Sequence, residues 1–300
     1  MKKKTQVINE VMGEIKFDYN WKRKVVYGLF LLSIIIVSCK KTEESPPLES
    51  SIKNYLHLSH TRTNNDPQLD SVTETINYKK FDVLMLGGDL AYLSSENNST
   101  MQRIDSVFDV GNPNTLWALG NHDYTDLNKI QEFTNRPPYY ATYKNGITFI
   151  VLDTQDSSSN IIGSQKKYLQ KVLDTIIESS HLILLHHKLI WMDNHSELET
   201  QISSVSNGPA GECSYCINPN NFNSEIYPEL VKVKLKGVKV ICIGGDIGFK
   251  TDEFEYFTTD EIHFLASGIN FNNSSNKALF FTHDLKNKSL NWEYKFLSDL

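Results

Sequence analysis

The chain alternates between short apolar runs and stretches in which apolar residues recur every three or four positions. Short apolar runs that end in glycine or polar residues are typical of strands buried on both faces. They occur at residues 55–59, 81–86, 116–119, 182–185 and 238–243. Residues 165–178 place their apolar side chains on one face, which predicts an amphipathic helix. Alternating strands and helices predict parallel strands joined by helical crossovers.

Turn and cap residues predict further elements. Asn145-Gly146 lies between two strand-like segments and indicates a β-hairpin. Asp66-Pro67 predicts the start of a helix that reaches about Lys80, because proline suits the first helical position. Two more helices are expected over residues 100–108 and 224–236, and the tail, 261–296, is expected to form antiparallel strands with a turn at 286–288. Residues 188–223 lack periodicity, and loops of that length usually carry function or move.

The first 38 residues are predicted not to belong to the fold. Lys22-Arg23-Lys24 precede an apolar run that ends in Ile36-Val37-Ser38-Cys39 and is shorter than the roughly 20 residues of a membrane span. This arrangement is typical of a secretory signal. The last four residues resemble a bacterial lipoprotein signal, which implies a lipid on Cys39. A single-span anchor with an incidental cysteine is the alternative, and translation from Met12 would shorten the leader.

We therefore expect a signal peptide at 1–38, a tether at 39–53 and one domain at 54–300, in the cell envelope and lipid-anchored to a bacterial membrane, periplasmic or surface-exposed. The whole chain carries a formal charge of −6, and its first 38 residues are net basic, so the remainder is more acidic. An acidic chain argues against bulk nucleic-acid binding and broad electrostatic membrane binding. We expect a monomer whose only membrane contact is the lipid.

Three cysteines follow Cys39. Cys213 and Cys216 are two residues apart in a polar loop, and outside the cytoplasm a local disulfide is the expected form. A zinc knuckle would need two further ligands nearby, and none is evident. Cys242 lies in an apolar strand and is predicted to be an inert core thiol.

Five predicted strands are followed by polar side chains that suit metal binding or proton transfer: His60, Asp89, Asn121, His186 and Asp246. Ligands collect at the carboxyl ends of parallel strands, so these side chains are expected to converge. In Gly120-Asn121-His122-Asp123 an amide oxygen can ligate a hard cation, an imidazole can transfer protons and a carboxylate can orient it. For each residue alone, a cap or turn role is the alternative.

These motifs resemble the calcineurin-like metallophosphoesterase family over about residues 55–268, because Gly87-Gly88-Asp89, Gly120-Asn121-His122-Asp123 and His186-His187 occur in the family's order. The resemblance implies an α/β fold, a two-sheet mixed β-sandwich flanked by helices in four layers. It implies hydrolysis of a phosphoester, as a phosphatase or phosphodiesterase, by metal-activated water. It also implies one or two divalent ions (Mn, Fe, Zn or Mg) and, as substrate, a phosphorylated small molecule or a phosphodiester.

The resemblance assigns roles by position. Asp89 would bridge the metals, and Asn121 and His186 would ligate the second one. His122 would act as general acid or as a donor to the transition state, with Asp123 holding it in orientation. His187, the neighbour of His186, is expected to contact the substrate.

Two motifs depart from the family pattern. The family's first strand ends in Asp-x-His, where this chain has His60-Thr61-Arg62, and its last motif is Gly-His-x-His, where this chain has Gly245-Asp246-Ile247-Gly248. Asp246 is an acceptable substitute ligand of the second metal, whereas only His60 remains as a first-metal candidate beside Asp89. Arg62 carries a permanent charge and can bind phosphate bidentately. We hypothesise a one-metal site in which Arg62 supplies part of the missing charge and binds substrate; an outward-facing Arg62 is the alternative.

The missing ligands favour a second function, a catalytically inactive lipid-anchored binding protein on the same scaffold. The intact Gly-Asn-His-Asp set counts against it, because binding alone does not require that combination. A structural surface lipoprotein is a third alternative. Trp191, in the long loop, could stack on a substrate ring but is expected to anchor the loop.

Overall fold

The structure, a computed structural model, describes residues 50–300. The predicted signal peptide, the lipidated Cys39 and most of the predicted tether lie outside the described residues. Within residues 50–300, none of the helices combines the length and apolar character needed to cross a lipid bilayer.

The strands of this part of the chain form two mixed sheets. The first has the order β11-β10-β1-β2-β3 and consists of β1 (Ile52–Leu58), β2 (Val83–Leu86), β3 (Thr115–Trp117), β10 (Lys277–Asp284) and β11 (Ser289–Phe296). The second has the order β4-β5-β6-β7-β9-β8 and consists of β4 (Tyr140–Lys144), β5 (Ile147–Val151), β6 (His181–Leu185), β7 (Lys239–Gly244), β8 (Glu253–Phe257) and β9 (His263–Ser267). Strands β1, β2 and β3 are parallel to one another, as are β5, β6, β7 and β9.

Helices cover the outer face of each sheet. They are α1 (Asn98–Phe108), α2 (Leu127–Thr134), α3 (Gly163–Thr175), α4 (Ile202–Val205) and α5 (Tyr227–Leu235). In β6, Leu182 and Leu184 belong to the core that contains Leu169 of α3, whereas Ile183 belongs to the core between the sheets with Tyr55 of β1. Side chains of a strand alternate between faces, so each sheet has two buried faces. The four layers confirm the predicted fold class.

The β4–β5 hairpin is confirmed, with Tyr143 opposite Thr148. The helix predicted from Asp66-Pro67 is wrong: this segment contains only the short 3₁₀ turns Thr73–Thr75 and Tyr78–Lys80. Asp66 does not cap a helix of its own, because its carboxylate accepts hydrogen bonds from the backbone N–H groups of Tyr92 and Leu93 at 2.8 and 2.7 Å.

The tail is not wholly antiparallel, because β9 pairs in parallel with β7, and β8 precedes the predicted region. The β10–β11 pair and its turn are as predicted.

The long segment after β6 packs into the core. Trp191 is fully buried and stacks on Phe264 of β9, with ring centroids 5.1 Å apart, which confirms its anchoring role. Cys213 and Cys216 form the predicted disulfide, and Cys242 is a buried free thiol.

Candidate functional site

The loops that follow β1, β2, β6 and β7 are tied together at one edge of the sandwich. His60 donates its backbone N–H to Gly88 O at 2.9 Å, and the N–H groups of Gly245 and Asp246 both bond His187 O at 2.9 Å. Across the two sheets, His187 Nδ1–H donates to Gly87 O at 2.7 Å. The carboxyl ends of strands from both sheets therefore form one polar edge, as the sequence predicted.

Glycines allow the sheets to approach this closely. A Cβ on Gly245 would lie 2.0 Å from Gly87 O, and a Cβ on Gly120 would lie 2.1 Å from Asp89 Oδ1. No side chain fits at such distances, so both positions require a residue without Cβ.

Asp89 is buried at the centre of the edge. Its Oδ2 lies 3.2 Å from His60 Nε2, and its Oδ1 accepts the backbone N–H of His122 at 3.0 Å. Burial alone would raise the pKa of Asp89, but the charge of His187 and the hydrogen bond from His60 lower it, so the carboxylate is ionised. Asp89 and His60 both have φ near +60°, a strained backbone for non-glycine residues that is common at functional sites.

His187 lies between the two carboxylates of the edge. Its Nε2 is 3.6 Å from Asp89 Oδ1 and 3.8 Å from Asp246 Oδ1, and this buried nitrogen has no hydrogen-bond partner. Burial disfavours the charged imidazole, yet the carboxylates of Asp89 and Asp246 raise the pKa of His187.

The structure places the two adjacent histidines differently from the prediction. His186, predicted as the ligand, packs its ring against Trp191 with centroids 4.6 Å apart and donates Nδ1–H to Lys188 O at 2.7 Å. Burial lowers the pKa of His186 to about 3. His187, predicted to contact substrate, is fully buried beside the carboxylates. Consecutive residues leaving a strand point to opposite sides, so a one-residue error in assignment reverses the side chain's surroundings.

Asp123 does not orient the His122 ring, contrary to the prediction. Its carboxylate accepts the backbone N–H groups of Asp89 and Gly120, each at 2.8 Å, and of Leu90 at 3.1 Å. The Ser94 hydroxyl and the Trp117 indole also donate to it. Asp123 thereby fixes the shape of the two loops that carry Asp89 and His122.

His122 lies at the partly exposed rim of the site. Its Nδ1–H donates to Tyr92 O at 2.6 Å, and the two rings are 5.3 Å apart. This bond leaves Nε2 as the chemically available nitrogen. Asn121 precedes it in the same loop and is also partly exposed.

Arg62 faces inward, which excludes the outward alternative. Its side chain is 12% exposed, and its Nε lies 3.9 Å from Asp89 Oδ2. The guanidinium carbon is 6.0 Å from the ring centroid of Tyr92 and 5.4 Å from that of Phe249. Neither aromatic residue was singled out from the sequence, although Phe249 directly follows the Gly245–Gly248 motif and was identifiable by that position.

His187 Nε2 and the two carboxylate oxygens that face it have a spacing compatible with one shared cation. Among residues 50–300, no group of three or more His, Cys, Asp or Glu side chains is already arranged to hold a metal ion. The orphaned Nε2 of His187 nevertheless faces two carboxylate oxygens at distances too long for hydrogen bonds. When several donor atoms bind one cation at about 2.1 Å each, the donors lie about 3–4 Å from one another. The separations of 3.6 and 3.8 Å seen here fall in that range. On the opposite side of Asp89, His60 and the cationic Arg62 leave no comparable donor set.

Two sheets flanked by helices, with carboxylates and imidazoles at the ends of parallel strands, define an α/β protein with a polar site at the sheet edge. The family model "Calcineurin-like phosphoesterase" matches residues 56–247, well over half of the chain. The chain therefore belongs to the calcineurin-like phosphoesterase family. Membership of this family supports phosphoester hydrolysis in general. None of the curated proteins matches the chain.

Several solved structures are similar in fold. A dimetal phosphatase from Danio rerio is 11% identical with a TM-score of 0.48, and the alignment covers 82% of this chain and 96% of that one. A 5'-nucleotidase precursor from Thermus thermophilus is 12% identical with a TM-score of 0.38, covering 82% and 54%. The NAD nucleotidase of Haemophilus influenzae is 14% identical with a TM-score of 0.39, covering 81% and 49%. Family membership rests on the sequence match alone.

Proposed function

We propose that the protein hydrolyses a phosphoester at a site that holds one divalent cation. The observation that carries this proposal is the buried, unpartnered Nε2 of His187, which faces the carboxylates of Asp89 and Asp246. A buried polar nitrogen without a partner costs free energy, and a cation shared with two carboxylates removes that cost.

Asp89, His187 and Asp246 would hold the cation, with the amide oxygen of Asn121 as a further ligand. Oxygen ligands with one imidazole suit Mn, Fe, Zn or Mg. When bound, such an ion lowers the pKa of a water molecule and polarises a phosphoryl oxygen. The carboxylate of Asp89 and the imidazole of His187 are held for this role by hydrogen bonds, from the His122 N–H to Asp89 Oδ1 and from His187 Nδ1–H to Gly87 O.

Two further side chains act on the substrate itself. His122, held through Nδ1 by Tyr92 O, gives a proton from Nε2 to the leaving oxygen when its ring is protonated. Arg62 holds a non-bridging oxygen of the phosphoryl group. Asp123 contributes indirectly, because its five hydrogen-bond donors fix the loops that carry Asp89 and His122.

The test is turnover of a chromogenic phosphomonoester and a chromogenic phosphodiester by the full-length chain with added Mn²⁺. Asp89→Asn should reduce turnover at least about 100-fold, because it removes a charge that no neighbour replaces. Asp174→Asn, on the exposed face of α3, is the matched control and should leave turnover unchanged. Equal activity of the Asp89→Asn variant and the wild type would contradict the proposal.

A lipid-anchored binding protein without catalysis is the second candidate. It is favoured by the position of Arg62 and His60 on the Asp89 carboxylate, where the family's first metal would lie. A chain that binds Mn²⁺ but turns over neither ester would support this candidate.

We also propose that residues 1–38 direct the chain to the cell envelope and that Cys39 carries the lipid. The support is the order of basic, apolar and small residues before Cys39. Cys39→Ser should move the protein from the membrane fraction to the soluble fraction, with Cys242→Ser as the control. A Cys39→Ser chain that remains in the membrane fraction would indicate the single-span anchor instead.

A further inference from the structure

We propose that Arg62, held against the rings of Tyr92 and Phe249, forms an anion site that binds a phosphoryl group without any metal ion. This site adds a substrate contact to the proposed function, because the guanidinium takes the place of the first metal ion and would bind the substrate's phosphoryl group. Only the placing of that group at the reaction centre rests on the proposed function. Anion binding itself can be tested separately.

The guanidinium is fixed in position by three contacts. The rings of Tyr92 and Phe249 lie 6.0 and 5.4 Å from its carbon, which are cation–π distances, and the Asp89 carboxylate lies 3.9 Å from Nε. Phe249 also packs edge-on against His60, with centroids 5.1 Å apart. A planar cation held in this way loses little conformational entropy when it binds a ligand.

The hydrogen-bonding capacity of this guanidinium is unused. The 3.9 Å separation from Asp89 exceeds a hydrogen bond, and the buried Nε has no partner. Within the described residues, no oxygen accepts a hydrogen bond from any guanidinium nitrogen of Arg62. A mostly buried cation whose Nε has no hydrogen-bond partner is costly, so an acceptor with negative charge is expected there.

The ligand that fits is a tetrahedral phosphoryl group. The guanidinium fork matches two oxygens of a phosphate, and each resulting hydrogen bond is charge-assisted. The Asp89 carboxylate does not fully neutralise the charge of Arg62, because the same carboxylate also faces His60, His187 and the His122 N–H. The ligand can be free phosphate or the phosphoryl end of an ester, since both present the same oxygens.

The two aromatic residues are positioning residues in this proposal. Tyr92 is 42% exposed and Phe249 is 52% exposed, so neither belongs to the packed core, yet both rings lie against the cation. Removing either ring should release the guanidinium and weaken anion binding while the fold is retained. A purely structural role for the rings would change the melting temperature and leave anion affinity unaltered.

The experiment is calorimetric titration of inorganic phosphate, and separately of phenyl phosphate, into full-length chain that has been treated with EDTA and shown by elemental analysis to be metal-free. We expect saturable 1:1 binding of both. Arg62→Gln should weaken both affinities about tenfold or more, as for loss of a charge-assisted pair. Arg62→Lys should weaken them less, because it keeps the charge and loses the fork.

Phe249→Leu keeps the test valid if Arg62→Gln does not fold, because Phe249 is half exposed; it should weaken phosphate binding about threefold to tenfold. Arg103→Gln and Phe257→Leu, at exposed positions away from the site, are matched controls and should leave binding unchanged. Tighter binding of phenyl phosphate than of phosphate identifies the ester as the preferred source, whereas equal affinities identify the phosphoryl group alone.

The proposal is overturned if metal-free chain does not bind phosphate, or if Arg62→Gln and Phe249→Leu bind it as the wild type does. These failures are distinct from failure of the proposed function. Mn²⁺-dependent turnover without phosphate binding by metal-free chain would retain the hydrolase and reject the anion site. Phosphate binding that depends on Arg62, without turnover of either ester, would retain the anion site and reject the hydrolase.

Discussion

Asp246 occupies the position where the family's last motif has a histidine, and its Oδ1 lies 3.8 Å from His187 Nε2. Its other carboxylate oxygen accepts the backbone N–H of Gly208 at 3.3 Å, so the side chain is oriented toward the imidazole. Asp246→Asn keeps the shape and removes one negative charge. We expect about 10- to 100-fold weaker Mn²⁺ binding, measured by competition with a fluorescent chelator. An affinity equal to that of the wild type and of the Asp174→Asn control would remove Asp246 from the ligand set.

Gly245, at the end of a strand in one sheet, lies against Gly87, at the end of a strand in the other. Its Cβ would lie 2.0 Å from Gly87 O, so Gly245→Ala should force the sheets apart and lower the free energy of unfolding by about 2–3 kcal/mol. Urea unfolding measures this, with Gly111→Ala as the control, because there the nearest atom would be 3.1 Å away. A Gly245→Ala chain as stable as that control would show that the contact can relax at little cost.

The sequence predicted only some of the side chains that face this site and only some of their contacts. The strand-end glycines and carboxylates were visible because they follow apolar runs. The choice between His186 and His187 was not, because it depends on which of two consecutive side chains points toward Asp89. The partners of Asp123 and the rings around Arg62 depend on contacts between loops distant in sequence, which no local pattern encodes.

At the scale of elements, the segment after β6 is part of the core although its sequence lacks periodicity. Trp191 packs against His186 and Phe264 and is fully buried. Trp191→Ala should lower the free energy of unfolding by about 3–5 kcal/mol, because it leaves a large cavity. Trp191→Phe, which keeps a stacked ring, should cost clearly less. Equal loss in both variants by urea unfolding would indicate that the indole contributes through something other than its volume.

The strands were easier to predict than the irregular segments. Apolar runs of four to six residues identify strands because both faces of each sheet are buried. Residues 66–80 resembled a helix because Asp-Pro is a common helix start. Asp66 instead bonds Tyr92 N and Leu93 N in a loop about 25 residues further along the chain. Long-range hydrogen bonds of this kind override local propensity.

At the scale of the whole molecule, buried histidines should make stability depend on acidity. Burial lowers the pKa of His57 to about 3, below its unfolded value of about 6.5. The folded state therefore favours neutral His57. The stability from this neutral form is fully present above pH 6.5 and is lost as pH falls toward 3, because the unfolded chain binds the proton first.

We expect the free energy of unfolding to fall by up to about 1.4 kcal/mol per pH unit from His57 alone between pH 6 and pH 4. His57→Gln should reduce that slope relative to the wild type, because glutamine has no group that titrates in this range. Urea unfolding at pH 4.5, 5.5 and 6.5 measures both slopes. A His57→Gln slope equal to that of the wild type would show that His57 is not held neutral by the fold.

The number of cations that the folded chain binds tests the proposed site most directly. The direct measurement is elemental analysis of full-length chain after equilibration with excess Mn²⁺ and removal of the unbound ion. We predict one Mn²⁺ per chain, held by Asp89, His187 and Asp246, with Arg62 in place of a second ion. Two ions per chain would contradict the role of Arg62, and no bound ion would contradict the metal site itself.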